Sequence, residues 1–184
     1  MTALAVPDVR LHASWVAAVR DFGDETMHGS GDWHVPGGWR DLTEDGCRTI
    51  VAWLRRSADP TAPVADGLVH CDFLWITDGE PEEVVGFLAL RHRLTPWLLE
   101  QGGHIGYSVR PARRRQGHAS RALALAVRRA AELGLDRVLV TCDDDNEGSR
   151  RTIEAGGGRY EDTRGVKRRY WIDTGLAGGR AQVV

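Results

Sequence analysis

The sequence holds only three cysteines, and no lysine occurs among its first 90 residues. Cys47, Cys71 and Cys142 are odd in number, widely spaced and in no metal-ligand pattern, so they read as buried free thiols and no metal site is expected. No uninterrupted apolar run approaches the length that crosses a bilayer. The segment from Met1 to Pro7 lacks the charged stretch and following apolar stretch of a secretory leader. The expectation is a cytoplasmic protein with no membrane partner. Two phosphate-binding patterns are missing as well: there is no G-x-x-x-x-G-K-S/T and no G-x-G-x-x-G, which weighs against a P-loop and a dinucleotide fold. A net charge of −2 gives no reason to expect nucleic acid as the partner.

What is present fits one domain. The 184 residues suffice for a full core, and 42% hydrophobic with 27% charged residues is ordinary for a globular protein. The domain is expected to span residues 1–173, with a Gly- and Ala-rich tail from Thr174 to Val184 expected to be disordered. Charge is unevenly placed. Residues 1–90 carry six arginines against fifteen acids, a net −9, whereas residues 91–184 carry 18 basic and 11 acidic groups, a net +7. A basic half suits a polyphosphate ligand and an acidic half suits a cationic acceptor such as an amine; both also fit plain solvated surface.

The chain is organised around residues 103–123. A β-prone run from His104 to Val109 is stopped by Pro111, which cannot continue a ladder. An arginine-rich turn follows, and Gly117 introduces a long helix. Its apolar positions Ala119, Ala122, Leu123, Ala126, Val127 and Ala130 form the stripe of a helix packed on a sheet. A strand, a glycine-containing turn and a helix start gather free backbone N–H groups at the positive end of a helix dipole. That is a site suited to a phosphate or pyrophosphate.

The remaining segments supply the frame. Residues 8–22 read as an amphipathic helix with Leu11, Trp15, Ala18, Val19 and Phe22 on one side. Asp24 to Arg40 is aperiodic and rich in glycine, a loop to which Trp33 and Trp39 give something to bury. Thr43 caps a second helix reaching Arg56, with Ile50, Trp53 and Leu54 inward, and Ser57 to Asp66 is a connector. Phe73–Thr77 and Val84–His92 form a hairpin about an acidic turn. Leu135–Cys142 is a buried parallel strand, reached after the helix stops at Gly134. Asn146 caps a short helix from Glu147 to Ala155, and strands at 159–163 and 167–172 close the chain.

The run Arg114-Arg115-Gln116-Gly117-His118-Ala119, directly after Val109-Arg110-Pro111, resembles the acetyl-CoA-binding motif Q/R-x-x-G-x-G/A of the GNAT (GCN5-related N-acetyltransferase) superfamily. Asn146-x-x-Ser149 with Ile153-Glu154-x-x-Gly157 resembles that family's next block. The strand end Leu90-Arg91-His92 and the strand Gly102-Gly103-His104-Ile105-Gly106-Tyr107 are similar to a subgroup of predicted acetyltransferases of undefined substrate. The resemblance covers about residues 70–173. It implies an α/β fold, a mixed and mainly antiparallel sheet flanked by helices, whose parallel pair (105–109 and 138–142) splays around the cofactor. It implies acetyl-CoA as co-substrate, with its pyrophosphate on the turn Arg114, Arg115, Gln116, Gly117, His118, Ala119 and Ser120. It also places backbone groups of Val109 on the pantetheine, beside Asn146 and Ser149. The segment between the first two helices lines the acceptor site in that family, which assigns Trp33 and Trp39 to the acceptor side.

The implied activity is N-acetylation of a small-molecule or peptide amine by direct transfer in a ternary complex. A non-catalytic acyl-CoA-binding or sensor domain of the same fold is the alternative. Many members carry a tyrosine seven residues after the Asn as thiolate acid; here that position is Ile153, so the acid is open. Ser149 shares the helix stripe and can donate, and its plain role is that of a cap residue. His104 has the pKa range of a general base, and Tyr107 is the alternate acid or orienting group. The acceptor amine and the oligomeric state, a homodimer included, are left open.

Overall fold

The computed structural model describes residues 1–35 and 39–176. Its elements are β1 (Ala3–Ala5), α1 (His12–Phe22), α2 (Glu44–Ser57), β2 (Cys71–Asp78), β3 (Glu83–Arg91), β4 (Ile105–Val109), α3 (His118–Glu132), β5 (Arg137–Asp143), α4 (Glu147–Ala155), β6 (Arg159–Arg164) and β7 (Lys167–Asp173). One seven-stranded sheet has the order β1-β2-β3-β4-β5-β7-β6. All neighbours are antiparallel except β4 and β5, which run parallel. The fold is therefore mixed α/β, as the sequence implies.

Local chemistry sets the ends of the helices. Thr43 accepts a hydrogen bond from the Gly46 N–H at 3.2 Å, and Glu44 and Asp45 fill the first turn of α2. The expected first helix is divided. Asp8 accepts from the Arg10 N–H and tightens Val9–Leu11 into a 3₁₀ turn before α1 begins. Three elements have no counterpart in the expectations from sequence: β1, a 3₁₀ turn at Asp32–His34 and a single π-helical turn at Leu98–Gly102. Three residues are too few for alternation to show, and β1 owes its state to pairing with Trp75, Ile76 and Thr77. Thr174 is tied down as well, its hydroxyl donating to the Leu135 carbonyl at 2.6 Å. The rest of the expected tail, from 177 on, lies outside the described residues, as do positions 36–38 of the expected loop.

Both faces of the sheet are covered. On β2 and β3, Phe73, Trp75, Phe87 and Ala89 face one layer, where α1 and α2 contribute Trp15, Phe22, Ile50 and Leu54. Leu74, Ile76, Leu88 and Leu90 face the other, against Ala122, Leu123 and Ala126 of α3 and Ile153 of α4. Strict alternation breaks once. Ile76 pairs with Gly86 but Thr77 pairs with Val84, so Val85 is an extra residue, and Val84 and Val85 enter opposite layers. Cys47, Cys71 and Cys142 are buried free thiols.

The parallel pair fixes the working shape. β4 and β5 share a single paired position, Ile105 with Val140, whereas β5 pairs with β7 along its whole length. At this apex His104 donates its N–H to the Leu139 carbonyl at 2.7 Å, and its ring Nδ1 accepts the Leu139 N–H at 2.9 Å. Gly103 makes the approach possible: its φ is +63°, and a Cβ there would stand 2.6 Å from the Leu139 oxygen. Past Ile105 the two strands part.

Trp39 differs from expectation. It is 7% exposed, packed 5.5 Å from Trp15 and 5.1 Å from Phe87 ring to ring, and belongs to the core beneath α1. Trp39→Ala is expected to cost about 3–5 kcal/mol in denaturant unfolding. Trp39→Phe should cost clearly less, because the indole N–H has no partner to lose among the described residues. Equal losses would mean that the ring volume is not what counts.

Candidate active site

Where β4 and β5 part, a cleft of about 1290 Å³ opens. Ile105 to Val109 of β4 and Thr141 to Asp143 of β5 form its two sides. The turn before α3, the start of α4, and the loop carrying His28, Gly29 and Trp33 complete it.

The turn is built to present backbone donors. Pro111–Arg113 forms a 3₁₀ turn, Arg115 takes φ +60°, and Gly117 takes φ +80° as the N-cap of α3. Among the described residues, none accepts a hydrogen bond from the N–H groups of Arg115 through Ser120. These six donors sit at the positive end of a 15-residue helix, an arrangement that fits a pyrophosphate. Neighbouring arginines hold the turn in place. Arg113 pairs with Asp78 at 2.9 Å and Glu83 at 3.1 Å. Arg114 donates to the Val109 carbonyl at 3.0 Å and pairs with Glu25 at 2.5 Å. The Arg115 side chain is exposed and has no partner among the described residues. His118 is buried, with Nδ1 2.8 Å from the Thr2 hydroxyl, so only its backbone serves the cleft. Gln116 does not line the cleft, whereas Val109, Arg114, Arg115, Gly117, Ala119 and Ser120 do.

Across the cleft, Asn146 both caps and lines. Its Oδ1 accepts the Ser149 N–H at 2.9 Å, while its Nδ2 has no partner among the described residues. The Tyr107 hydroxyl lies 3.0 Å from the Ser149 hydroxyl, joining β4 to α4 inside the cleft. Burial pushes the Tyr107 phenol up to about 12, so it keeps its proton at neutral pH. Ile153 is fully buried in the core beside Leu123. The hydroxyl that position lacks on α4 is matched by one arriving from β4.

His104 does not stand where a base is needed. Its ring is 6% exposed, faces Trp171 and does not reach the cleft. Burial, followed by the nearby Arg91 and Arg137 charges, lowers its pKa to about 4. The side chain is spent on the Leu139 N–H, so the fold does not bring this expected base into the cleft. Besides His118, the cleft is lined by His28, which no sequence signal marks, since it sits in an aperiodic loop. Burial and the Lys167 charge lower its pKa, leaving a neutral imidazole. Its carbonyl accepts from the Ser108 hydroxyl at 2.8 Å, which fastens the loop to β4. Of the two tryptophans expected on the acceptor side, Trp33 lines the cleft and Trp39 does not. Arg91, at the end of β3, is a further lining residue not singled out from the sequence.

Residues 16–159 match the family described as acetyltransferase (GNAT) domain, and the chain belongs to that family. No curated protein matches the sequence. Among solved structures, a GNAT-family acetyltransferase from Bacillus anthracis is similar with a TM-score of 0.58 at 19% identity, over 94% of this chain and 95% of that one. The microcin C7 self-immunity acetyltransferase, solved with acetyl-CoA and AMP, has a TM-score of 0.60 at 15% identity, over 94% and 92%. A ribosomal L7/L12 α-N-protein acetyltransferase, solved with coenzyme A, has a TM-score of 0.62 at 16% identity, over 94% and 93%. At these identities the likeness is one of fold. Among the described residues there is no group of three or more His, Cys, Asp or Glu able to hold a metal ion, and no helix long and apolar enough to cross a membrane.

The His104 contact makes stability depend on pH. Because its folded pKa, about 4, lies below the ordinary value of 6.5, the unfolded chain binds the extra proton first. Its contribution is complete above pH 6.5 and is lost as pH falls towards 4, about 3 kcal/mol in all. His104→Asn keeps an acceptor near the Leu139 N–H but cannot titrate. In chemical unfolding between pH 7 and 4.5 the variant should lose less stability than the parent; parallel losses would show that His104 is not the titrating group.

Proposed function

We propose that residues 1–173 form an acetyl-CoA-dependent N-acetyltransferase that passes the acetyl group directly to an amine held in the same cleft. The observation that carries this reading is the row of six N–H groups, Arg115 to Ser120, without a partner among the described residues, at the mouth of a cleft between parted parallel strands. Family membership and the two neighbours solved with acetyl-CoA or coenzyme A support it. The co-substrate supplies the acetyl group as a thioester. The turn would hold its pyrophosphate, Asn146 and the β4 backbone at Val109 its pantetheine arm. Holding both substrates in one cleft removes much of the entropic barrier.

The chain's own groups then move protons. His28, neutral and facing the cleft, takes a proton from the ammonium and frees the nitrogen lone pair. The N–C bond forms as the C–S bond breaks. Tyr107, held by Ser149, gives its hydroxyl proton to the departing sulfur and regains one from the nitrogen as it becomes an amide, so one proton is released overall. A non-catalytic acyl-CoA-binding domain is the second reading, favoured by Ile153 in place of the family's tyrosine. The Tyr107–Ser149 pair weighs against it, since a protonated hydroxyl stands in the cleft all the same.

Thiol release from acetyl-CoA with a panel of amines tests this directly. His28→Gln and Tyr107→Phe should each lower kcat by about a hundredfold. His28→Gln should also flatten the acidic limb of the kcat/KM profile, a limb centred below the ordinary histidine value because the pKa is lowered. His104→Asn should leave that limb in place. Unaltered kcat in both cleft variants would refute the assignments, and no turnover with tight acetyl-CoA binding would favour the second reading.

A further inference from the structure

A second cavity, of about 410 Å³, adjoins the cleft, and Trp33, Arg91 and Trp97 line both. Its volume is that of a small-molecule site, roughly 300–1000 Å³. The walls are mainly apolar and aromatic, with Trp53, Leu68, Phe73 and Leu98 among them, and Arg56, Ser57 and His70 join Arg91 as their polar members. Trp33 and Trp97 stand at the shared rim, 59% and 63% exposed.

Arg91 holds the junction. Its Nη1 donates to the Gly102 and Gly103 carbonyls, each at 3.2 Å. Its Nε and Nη2 have no partner among the described residues, and no carboxylate there pairs with it. Asp72, next to Cys71 on β2, is engaged with His92 and Arg129, and Asp143, in the cleft lining, with Lys167. Burial lowers the Arg91 pKa, as expected for a cation withdrawn from water without a counter-charge. Such a charge is costly unless something anionic compensates it. The guanidinium also lies over the working strand, with Nη1 3.7 Å from where a Cβ would stand on Gly106. His28 is near enough to feel its charge.

We infer that the acceptor is a free α-amino acid with a large apolar or aromatic side chain, its carboxylate held by Arg91 and its side chain seated in the second cavity. This rests on reading the cleft as an acetyltransferase site. A carboxylate on the guanidinium fork makes paired, charge-assisted hydrogen bonds. The amine, one carbon away, is then kept beside Gly106 on β4 and within reach of the His28 side of the cleft. A peptide N-terminus would offer Arg91 a neutral carbonyl and leave the charge uncompensated. A polyamine would set a second cation against the first.

The test compares acceptors with the wild-type chain, so it does not depend on any variant folding. L-Phenylalanine, L-tryptophan and L-leucine are assayed against L-phenylalaninamide, phenethylamine and L-alanine by thiol release, with acetyl-CoA affinity measured by calorimetry. Removing the carboxylate should lower kcat/KM by about thirtyfold or more, the range for stripping one partner from a buried charge pair. L-Alanine should be poor as well. Arg91→Gln should raise KM far more for L-phenylalanine than for phenethylamine, and a rise of the same size for both acceptors would overturn the inference. Equal or better turnover of phenethylamine or the amide would overturn the inference. So would tight acetyl-CoA binding with no amino acid acetylated, while the proposed function stands. Absence of acetyl-CoA binding would instead remove the proposed function itself.

Discussion

Leu139 has one N–H and one C=O to place at the point where β4 meets β5, and His104 satisfies both, one with its backbone and one with its ring. Without the ring, a buried amide would be left bare at a cost of about 1–3 kcal/mol. With it, the two strands are closed at Ile105 and free to diverge beyond. That divergence creates the cleft, exposes both sides of β4 from Gly106 to Ser108, and lets Tyr107 reach Ser149 on α4. The contact needs a neutral imidazole, and burial supplies one.

The rest of the site follows from charges already paired. Arg113 and Arg114 could be taken for phosphate ligands, yet each is neutralised by an acid from the N-terminal half, Asp78 and Glu83 for one and Glu25 for the other. They pull the turn against the sheet and loop, and among the described residues leave its backbone N–H groups without a partner. The acidic and basic halves of the sequence thus meet in ion pairs across the fold. Arg91, where the cleft meets the second cavity, has no such pair among the described residues.

Local chemistry was legible in the sequence; the direction of a side chain was less so. The strand, Gly117 and the alanine stripe of α3 act within a few residues of one another, so the turn could be read directly. Asn146 and Thr43 cap their helices for the same reason. His104 could not be placed, because alternation does not say that it sits at the closed end of the splay, where its ring is taken by Leu139. Trp33 and Trp39 lie in a stretch without periodicity, and only tertiary packing sends one to the rim and the other beneath α1. His28 carries no local mark, and Arg91 was visible only as part of a strand end whose purpose needs the second cavity to be seen.

The central claim is that the turn from Arg115 to Ser120 binds the co-substrate through its backbone. Amide proton and nitrogen shifts, followed by NMR as acetyl-CoA is added to the ¹⁵N-labelled chain, test it most directly. The account predicts that these six amides show the largest shifts, with a second group along Ile105–Val109, and that amides of α2 stay where they are. Saturable binding with the Arg115–Ser120 amides unmoved would contradict it.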